Sequence, residues 1–336
     1  MALHDQLLAT LEGVADVSLV SKLRDARLNF PDESRLNVFI PDLHLVTKRR
    51  TFLFGTNAVD TLTAVVRALG TWKTAAQPAQ VTVYQIGDLF DLWRESDGLA
   101  PNADIASAIE DAHSDLLGAF YDSALDAQFL LGNHDYDLYR FTDYDVWQRY
   151  FYQLPSVLVL HGDIFDWIED LPDGLQNFFV YLFSPKAKPG HSQLEAMRAL
   201  NQKMFDKKKL KDFVQVGQAP VGKICPPAAV AGHDRFNVQD AQSPAVMLKF
   251  LDSARRKCAD ANQQFGLTLK TAVIGHTHQP RIAVHEEGGE LFTLVDCGAW
   301  IEQCVTEDDP TPRPNAQIAA LGANEIRIYQ LAARPR

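Results

Sequence analysis

VTVYQIGDLFD, residues 81–91, is the stretch that decides the fold. Its first six residues are uncharged and mostly apolar or β-branched, as in a strand buried on both faces. They run into Gly87 and Asp88, where a turn brings a carboxylate to the strand's carboxyl end. The design recurs on either side. Upstream, LNVFIPDLH (36–44) leads to Asp42 and His44. Downstream, AQFLLGNHD (127–135) delivers Asn133, His134 and Asp135, VLHGD (159–163) delivers His161, and TAVIGHTH (271–278) delivers His276 and His278.

Helical segments separate these runs. Residues 56–69 place Ala58, Val59, Leu62, Val65, Val66 and Leu69 on one face, and 102–124 reads as a second helix. Strands alternating with helices predict an α/β fold. After residue 280 the pattern turns to strands alone, RIAVHE, ELFTLVD and EIRIYQL, with Gly288, Gly289 and Asn324 at turns. These predict a second, more antiparallel sheet. Residues 1–33 carry Leu7, Leu8, Leu11, Val14, Val17, Val20 and Leu23 at mostly three-residue intervals, which predicts an N-terminal amphipathic helical segment. The stretch 164–270 breaks the rhythm. It holds an apolar patch from Phe178 to Phe183, then Pro185, Pro189 and Gly190, then a helix bearing Lys203, Lys207, Lys208, Lys209 and Lys211, and it reads as an inserted, largely helical cap.

The chain has 336 residues, 46% of them hydrophobic, enough for a sizeable core. A formal charge of -11 argues against general nucleic-acid binding, which draws on clustered lysine and arginine. Cys225, Cys258, Cys297 and Cys304 show no CxxC spacing and are too sparse for a disulfide framework, which fits a reducing compartment. His4, Asp5, Glu12 and Asp16 interrupt the first turns, unlike a secretory signal. No run approaches the ~18 apolar residues of a membrane-spanning helix. The expectation is a cytoplasmic protein, with peripheral contact to the inner face of a membrane left open.

Carboxylate oxygen, amide oxygen and neutral imidazole nitrogen are the ligands that divalent first-row metals accept, and two ions held close together need a shared carboxylate. Asp88 is the natural bridge. In open α/β sheets ligands gather beyond the carboxyl ends of strands, where all of these residues fall. A lone Gly-Asp after a strand is more often a turn, and a lone histidine more often a satisfied core or surface residue. The pair His276 and His278 is more specific, because alternation in an extended chain sets both imidazoles on one side.

The order D-x-H, G-D, G-N-H-D, H, G-H-x-H resembles that of the calcineurin-like metallophosphoesterase superfamily, over residues 36 to about 300. The resemblance implies a four-layer αββα sandwich forming a domain over 34–336, with 164–270 as its cap. It implies a first ion held by Asp42, His44, Asp88 and His278, and a second held by Asp88, Asn133, His161 and His276. His134 then faces the substrate, and Asp135 holds His134. Manganese is the first expectation for both ions, with iron and zinc as alternatives.

The reaction so implied is in-line attack of a bridging hydroxide on phosphorus, with His134 giving charge stabilisation or a proton to the departing oxygen. GDLFDLW, HGDIFDW and GHTHQP are similar to the UDP-2,3-diacylglucosamine pyrophosphatase branch, which implies a phosphodiester or pyrophosphate substrate such as a nucleotide-diphosphate lipid. A phosphomonoesterase, a cyclic-nucleotide phosphodiesterase and a non-catalytic protein-binding scaffold are the competing readings. Arg94, Arg140 and Arg281 are candidates to grip a second phosphate, because arginine suits bidentate phosphate contacts. Phe90, Trp93, Phe165 and Trp167 are read first as core aromatics and second as pocket lining.

Overall fold

A computed structural model of the chain describes residues 2–30, 34–47, 56–75, 80–95, 102–141, 149–167, 244–304, 312–314 and 316–334. Over these residues the fold is mixed α/β and is built on two mixed sheets. The first sheet contains β1 (Asp16–Arg24), β2 (Leu36–Ile40), β3 (Val81–Gln85), β4 (Gln128–Phe129), β12 (Gln317–Gly322) and β13 (Glu325–Ala332), in the order β1-β13-β12-β2-β3-β4. The second contains β5 (Phe151–Gln153), β6 (Val157–Leu160), β7 (Thr271–Ile274), β8 (Arg281–Glu287) and β9 (Glu290–Asp296), in the order β5-β6-β7-β9-β8. A separate two-stranded ribbon joins β10 (Glu302–Cys304) to β11 (Pro312–Pro314).

The pairings decide where chemistry collects. β2, β3 and β4 are mutually parallel, and so are β6, β7 and β9, whereas β1, β5, β8, β12 and β13 pair antiparallel. The motif residues follow the carboxyl ends of the parallel strands. The second sheet that the sequence predicts is present, but it is mixed and no more antiparallel than the first, and the strands predicted after residue 280 are divided between the two. β8 and β9 widen the second sheet, while β12 and β13 widen the first.

Side chains alternate between two cores, as a period of two requires. Leu36, Val38 and Ile40 of β2 and Val81 and Val83 of β3 pack in a cluster with the helices. Phe39 and Tyr84 point the other way, into a cluster with Val157, Val159, Val273 and Val295 of the second sheet. Helix α1 (Leu3–Glu12) buries His4, Leu7 and Leu11 on one face, and α2 (Thr56–Ala75) buries Leu62, Val65, Val66 and Leu69. Each such aliphatic side chain stabilises by ~1.5–3 kcal/mol when fully buried.

Two helical expectations are corrected. Among the described residues 2–30, only Leu3–Glu12 is α-helical; Asp16–Arg24 is an edge strand antiparallel to β13. A bulge between Leu19 and Ser21 shifts the register, so Val17 packs against one core and Leu23 against the other, and β-branched valine favours the strand. The helix expected at 102–124 is split into α4 (Ala103–Ala112), capped by the Asn102 side chain accepting from Ile105 N, and α5 (Ser114–Phe120). The short α3 (Leu92–Glu95) precedes them. His113 interrupts the pair, and its Nε2 donates to Val46 O at 2.7 Å, tying the helices to the loop after β2.

The expected cap is described only in part. After the short α6 (Ile164–Trp167), residues 168–243 lie outside the described residues, including the apolar patch and the lysines. Helix α7 (Pro244–Phe265) belongs to the body: Phe250, Leu251, Ala254, Cys258 and Ala261 are buried at helical spacing, and α7 packs on β8 and β9. No helix among the described residues is long and apolar enough to cross a membrane.

Candidate metal centre

Each parallel strand ends in a turn that turns its polar residue toward a common point. His44, Asp88, His276 and His278 have φ of 49°, 49°, 66° and 59°. Left-handed backbone at residues other than glycine costs of order 1–3 kcal/mol each and persists where surrounding contacts over-determine it. Those contacts are present: Asp88 O accepts from both Leu43 N (2.9 Å) and His44 N (2.8 Å). Two glycines make room for carboxylates. A Cβ at Gly275 would stand 2.0 Å from Asp42 Oδ1, and one at Gly132 would stand 2.2 Å from Asp88 Oδ1.

The expected ligands converge as two linked groups. In the first, His278 Nε2 lies 3.1 Å from Asp42 Oδ2 and 3.0 Å from His44 Nε2, and His44 Nε2 lies 3.6 Å from Asp88 Oδ2. In the second, His161 Nε2 lies 3.2 Å from Asp88 Oδ2 and 2.9 Å from Asn133 Oδ1, and His276 Nδ1 lies 3.1 Å from Asn133 Oδ1. Asp88 is common to both. Asp42, His44 and His278, and likewise Asp42, Asp88 and His161, offer ligand atoms lying within 4.8 Å of one another. His276 and His278 do not share one side of an extended chain, as the spacing suggested. They flank a tight turn, closed by Thr277 N donating to Gly275 O at 2.7 Å, and so they serve different groups.

The arrangement could hold a metal on its own terms. Asp42 Oδ1 is buried without a hydrogen-bond partner, a costly state for a carboxylate unless a cation completes it. His161 directs Nδ1 to Ile86 O at 3.2 Å, which leaves Nε2 aimed at Asp88 and Asn133. Anchoring one ring nitrogen on a carbonyl or carboxylate while the other faces the ion is the usual habit of metal-binding histidine.

Asp135 does not hold His134. Its two oxygens accept from Gly132 N (2.6 Å) and Leu89 N (2.9 Å), so it braces the loops after β4 and β3. The carboxylate beside His134 is Asp91, whose Oδ1 lies 2.9 Å from His134 Nδ1 and whose Oδ2 lies 3.3 Å from His44 Nδ1. Sequence reasoning passed over Asp91, three residues beyond Asp88, and also two further buried carboxylates. Asp163 accepts from Tyr150 OH at 2.8 Å, and Asp296 closes β9 and accepts from Gly298 N at 3.1 Å and from Thr277 Oγ1. The available signal was their position at strand ends, shared with every residue that was found.

Burial and mutual charge shift these groups strongly. Burial pushes the Asp88 carboxyl up, but the imidazoles of His161 and His134 outweigh it and hold the group far below the carboxylate range. Burial lowers His161, and Asp88 and Asp42 more than reverse it, leaving the ring well above the histidine range. Burial, then the charge of Asp88, raises Asp135 to about 7. Burial, the largest cause in each, lowers His44 and raises Asp296. Such opposed shifts in one pocket are typical of functional sites.

Arg140 is exposed and pairs with Asp137 at 3.3 Å, and Arg281 opens β8 opposite Asp296 in the ladder. The Arg94, Trp93 and Trp167 side chains lie outside the described residues, whereas Phe90 and Phe165 are fully buried in the core. No protein-family model matches the chain, and no curated protein is significantly similar to it.

Proposed function

We propose that this chain is a dinuclear metal-dependent phosphoesterase of the calcineurin-like superfamily, its two sheets stacked between helical layers as a four-layer αββα sandwich. One observation carries the reading: two groups of oxygen and imidazole ligands, drawn from both sheets, meet at the single carboxylate of Asp88. The alternating packing of β2 and β3 supports the layer order.

Asp42, His44, Asp88 and His278 would hold one ion, and Asp88, Asn133, His161 and His276 the other. When bound, a pair of divalent ions, manganese first among them, acidifies water and withdraws charge from phosphoryl oxygens. The chain's own residues do the rest. Asp42 and Asp88 leave two divalent charges incompletely neutralised, so the pocket favours a phosphate anion. Asp91 fixes the His134 ring through Nδ1 and balances its charge when it holds a second proton. Nε2 of His134 is then the group that gives a proton to the leaving oxygen. Because Asp91 also meets His44, the ring that gives the proton and a ring that grips an ion share one orienting carboxylate.

The substrate class rests on the motif resemblance, which favours a phosphodiester or pyrophosphate such as a nucleotide-diphosphate lipid, met at the cytoplasmic face of a membrane. The test is a panel of phosphate monoesters, linear and cyclic diesters and nucleotide-diphosphate lipids, assayed with added manganese. Turnover of a diester or pyrophosphate above monoesters is expected. Preference for water-soluble monoesters would remove the lipid substrate, and no turnover of any ester by the metal-loaded chain would remove the enzyme.

A further inference from the structure

Thr277 sits between the two imidazoles, and its hydroxyl donates to Asp296 Oδ2 while accepting from Gln279 N at 3.3 Å. Asp296 is the last residue of β9 and lies opposite Ile274, the last residue of β7, in parallel register. Its second oxygen accepts from Gly298 N. Both side chains are out of solvent, Asp296 at 0% and Thr277 at 7% exposure. Neither belongs to a group of candidate ligands.

The turn they hold is conformationally unfavourable by itself, with His276 and His278 both left-handed on either side of Thr277. His276 N donates to Asp42 Oδ2 at 2.8 Å, which fixes the entry to the turn. Beyond it, the Thr277 hydroxyl ties the middle to β9 and the exit to itself through Gln279. The turn also divides its two rings between the two groups: His278 meets Asp42 and His44, and His276 meets Asn133. A single hydrogen bond therefore stands behind one ligand of each group.

We infer that the Thr277–Asp296 hydrogen bond is a latch that positions both imidazoles, so that it sets the divalent-ion affinity of the two halves of the centre together. This rests on the metal reading proposed above. Thr277 and Asp296 are positioning residues, acting through His276 and His278. Outer-shell partners of this kind change ion affinity by about 10–100-fold when removed.

The experiment strips the full chain with a chelator and titrates it with Co2+ followed by visible absorption, and with Mn2+ by competition with a fluorescent chelating indicator. Wild type is expected to take up two ions. Thr277→Val, which keeps shape and loses the hydroxyl, is expected to bind both about 10–100-fold more weakly and with a changed Co2+ spectrum. Thr277→Ser is expected to recover the wild-type affinity and spectrum, a rescue that general loss of packing would not give. If Thr277→Val does not fold, Asp296→Ala, which removes the acceptor of the Thr277 hydroxyl, is expected to weaken binding of both ions in the same way. Unchanged affinity in Thr277→Val, weakening at one ion alone, or equal weakening in the serine variant each overturns the latch while the metal reading stands. A folded wild-type chain that takes up no ion overturns the metal reading and the latch with it.

Discussion

Asp91 and His134 meet through Oδ1 and Nδ1 at 2.9 Å, both buried, with the other oxygen of Asp91 3.3 Å from His44 Nδ1. The two partners of Asp91 predict different phenotypes. His134→Asn should keep both ions and lose turnover by about 10²–10⁴-fold, the range of a general acid. Asp91→Ala should lose turnover and also weaken ion binding by about 10–100-fold through His44. Metal analysis beside kinetics checks this, and a His134→Asn chain that loses its ions along with its activity would reject the proton-donor role.

Three glycines should respond with opposite signs to the same change. Gly275→Ala and Gly132→Ala press a methyl against Asp42 and Asp88, and each is expected to cost about 1–3 kcal/mol of stability by overpacking and to abolish tight ion binding. Gly118→Ala, within α5 where a Cβ meets nothing within 4 Å, should stabilise by about 0.4–1 kcal/mol. Thermal unfolding of the three variants is the check. Tolerance of alanine at Gly275 would contradict the close approach of Asp42.

Chelation should destabilise the folded chain, since an ion that binds only the native state adds about 2.7 kcal/mol at 100 times its Kd. Thermal unfolding with Mn2+ and with excess chelator measures the difference. Identical melting in the two conditions would argue that the buried Asp42 and Asp88 carboxylates are satisfied some other way.

His4 predicts an acid sensitivity unrelated to the centre. Its Nε2 donates to Gly322 O (3.2 Å) and Glu325 O (3.3 Å), Nδ1 is buried with no hydrogen-bond partner, and burial, then the charge of Arg327, lowers its pKa below 6.5. The unfolded chain therefore binds the proton more readily, so stability is fully present above 6.5 and falls as pH drops from there toward the folded value. His4→Gln, which keeps a donor and cannot titrate, should flatten that fall. Parallel pH profiles for variant and wild type would show that His4 carries none of it.

The strand runs and the polar words after them were legible because both are local. TAVI is a strand over Thr271–Ile274, and LNVFI over Leu36–Ile40. What was not legible depended on contacts between distant segments. The carboxylate beside His134 could be its chain neighbour Asp135 or the remote Asp91. The choice turns on Asp135 being spent on Gly132 N and Leu89 N, which no spacing reveals. Asp296 read as the end of a strand because its partner Thr277 lies in the turn after another. The N-terminal stretch failed for a different reason: an edge strand with Leu19 and Val20 exposed has no clean polar face to announce its period.

His161 follows a strand of one sheet and Asp88 a strand of the other, yet they stand 3.2 Å apart. On the metal reading, neither sheet alone carries a complete set of ligands, so cation capture marks the end of assembly. A nascent chain arrested before His276 would emerge from the ribosome unable to retain manganese, and only release of the last segments would let it do so. Metal retention by ribosome-bound chains of increasing length would read that threshold directly. On that reading, late loading would keep a reactive centre from forming on a half-made polypeptide.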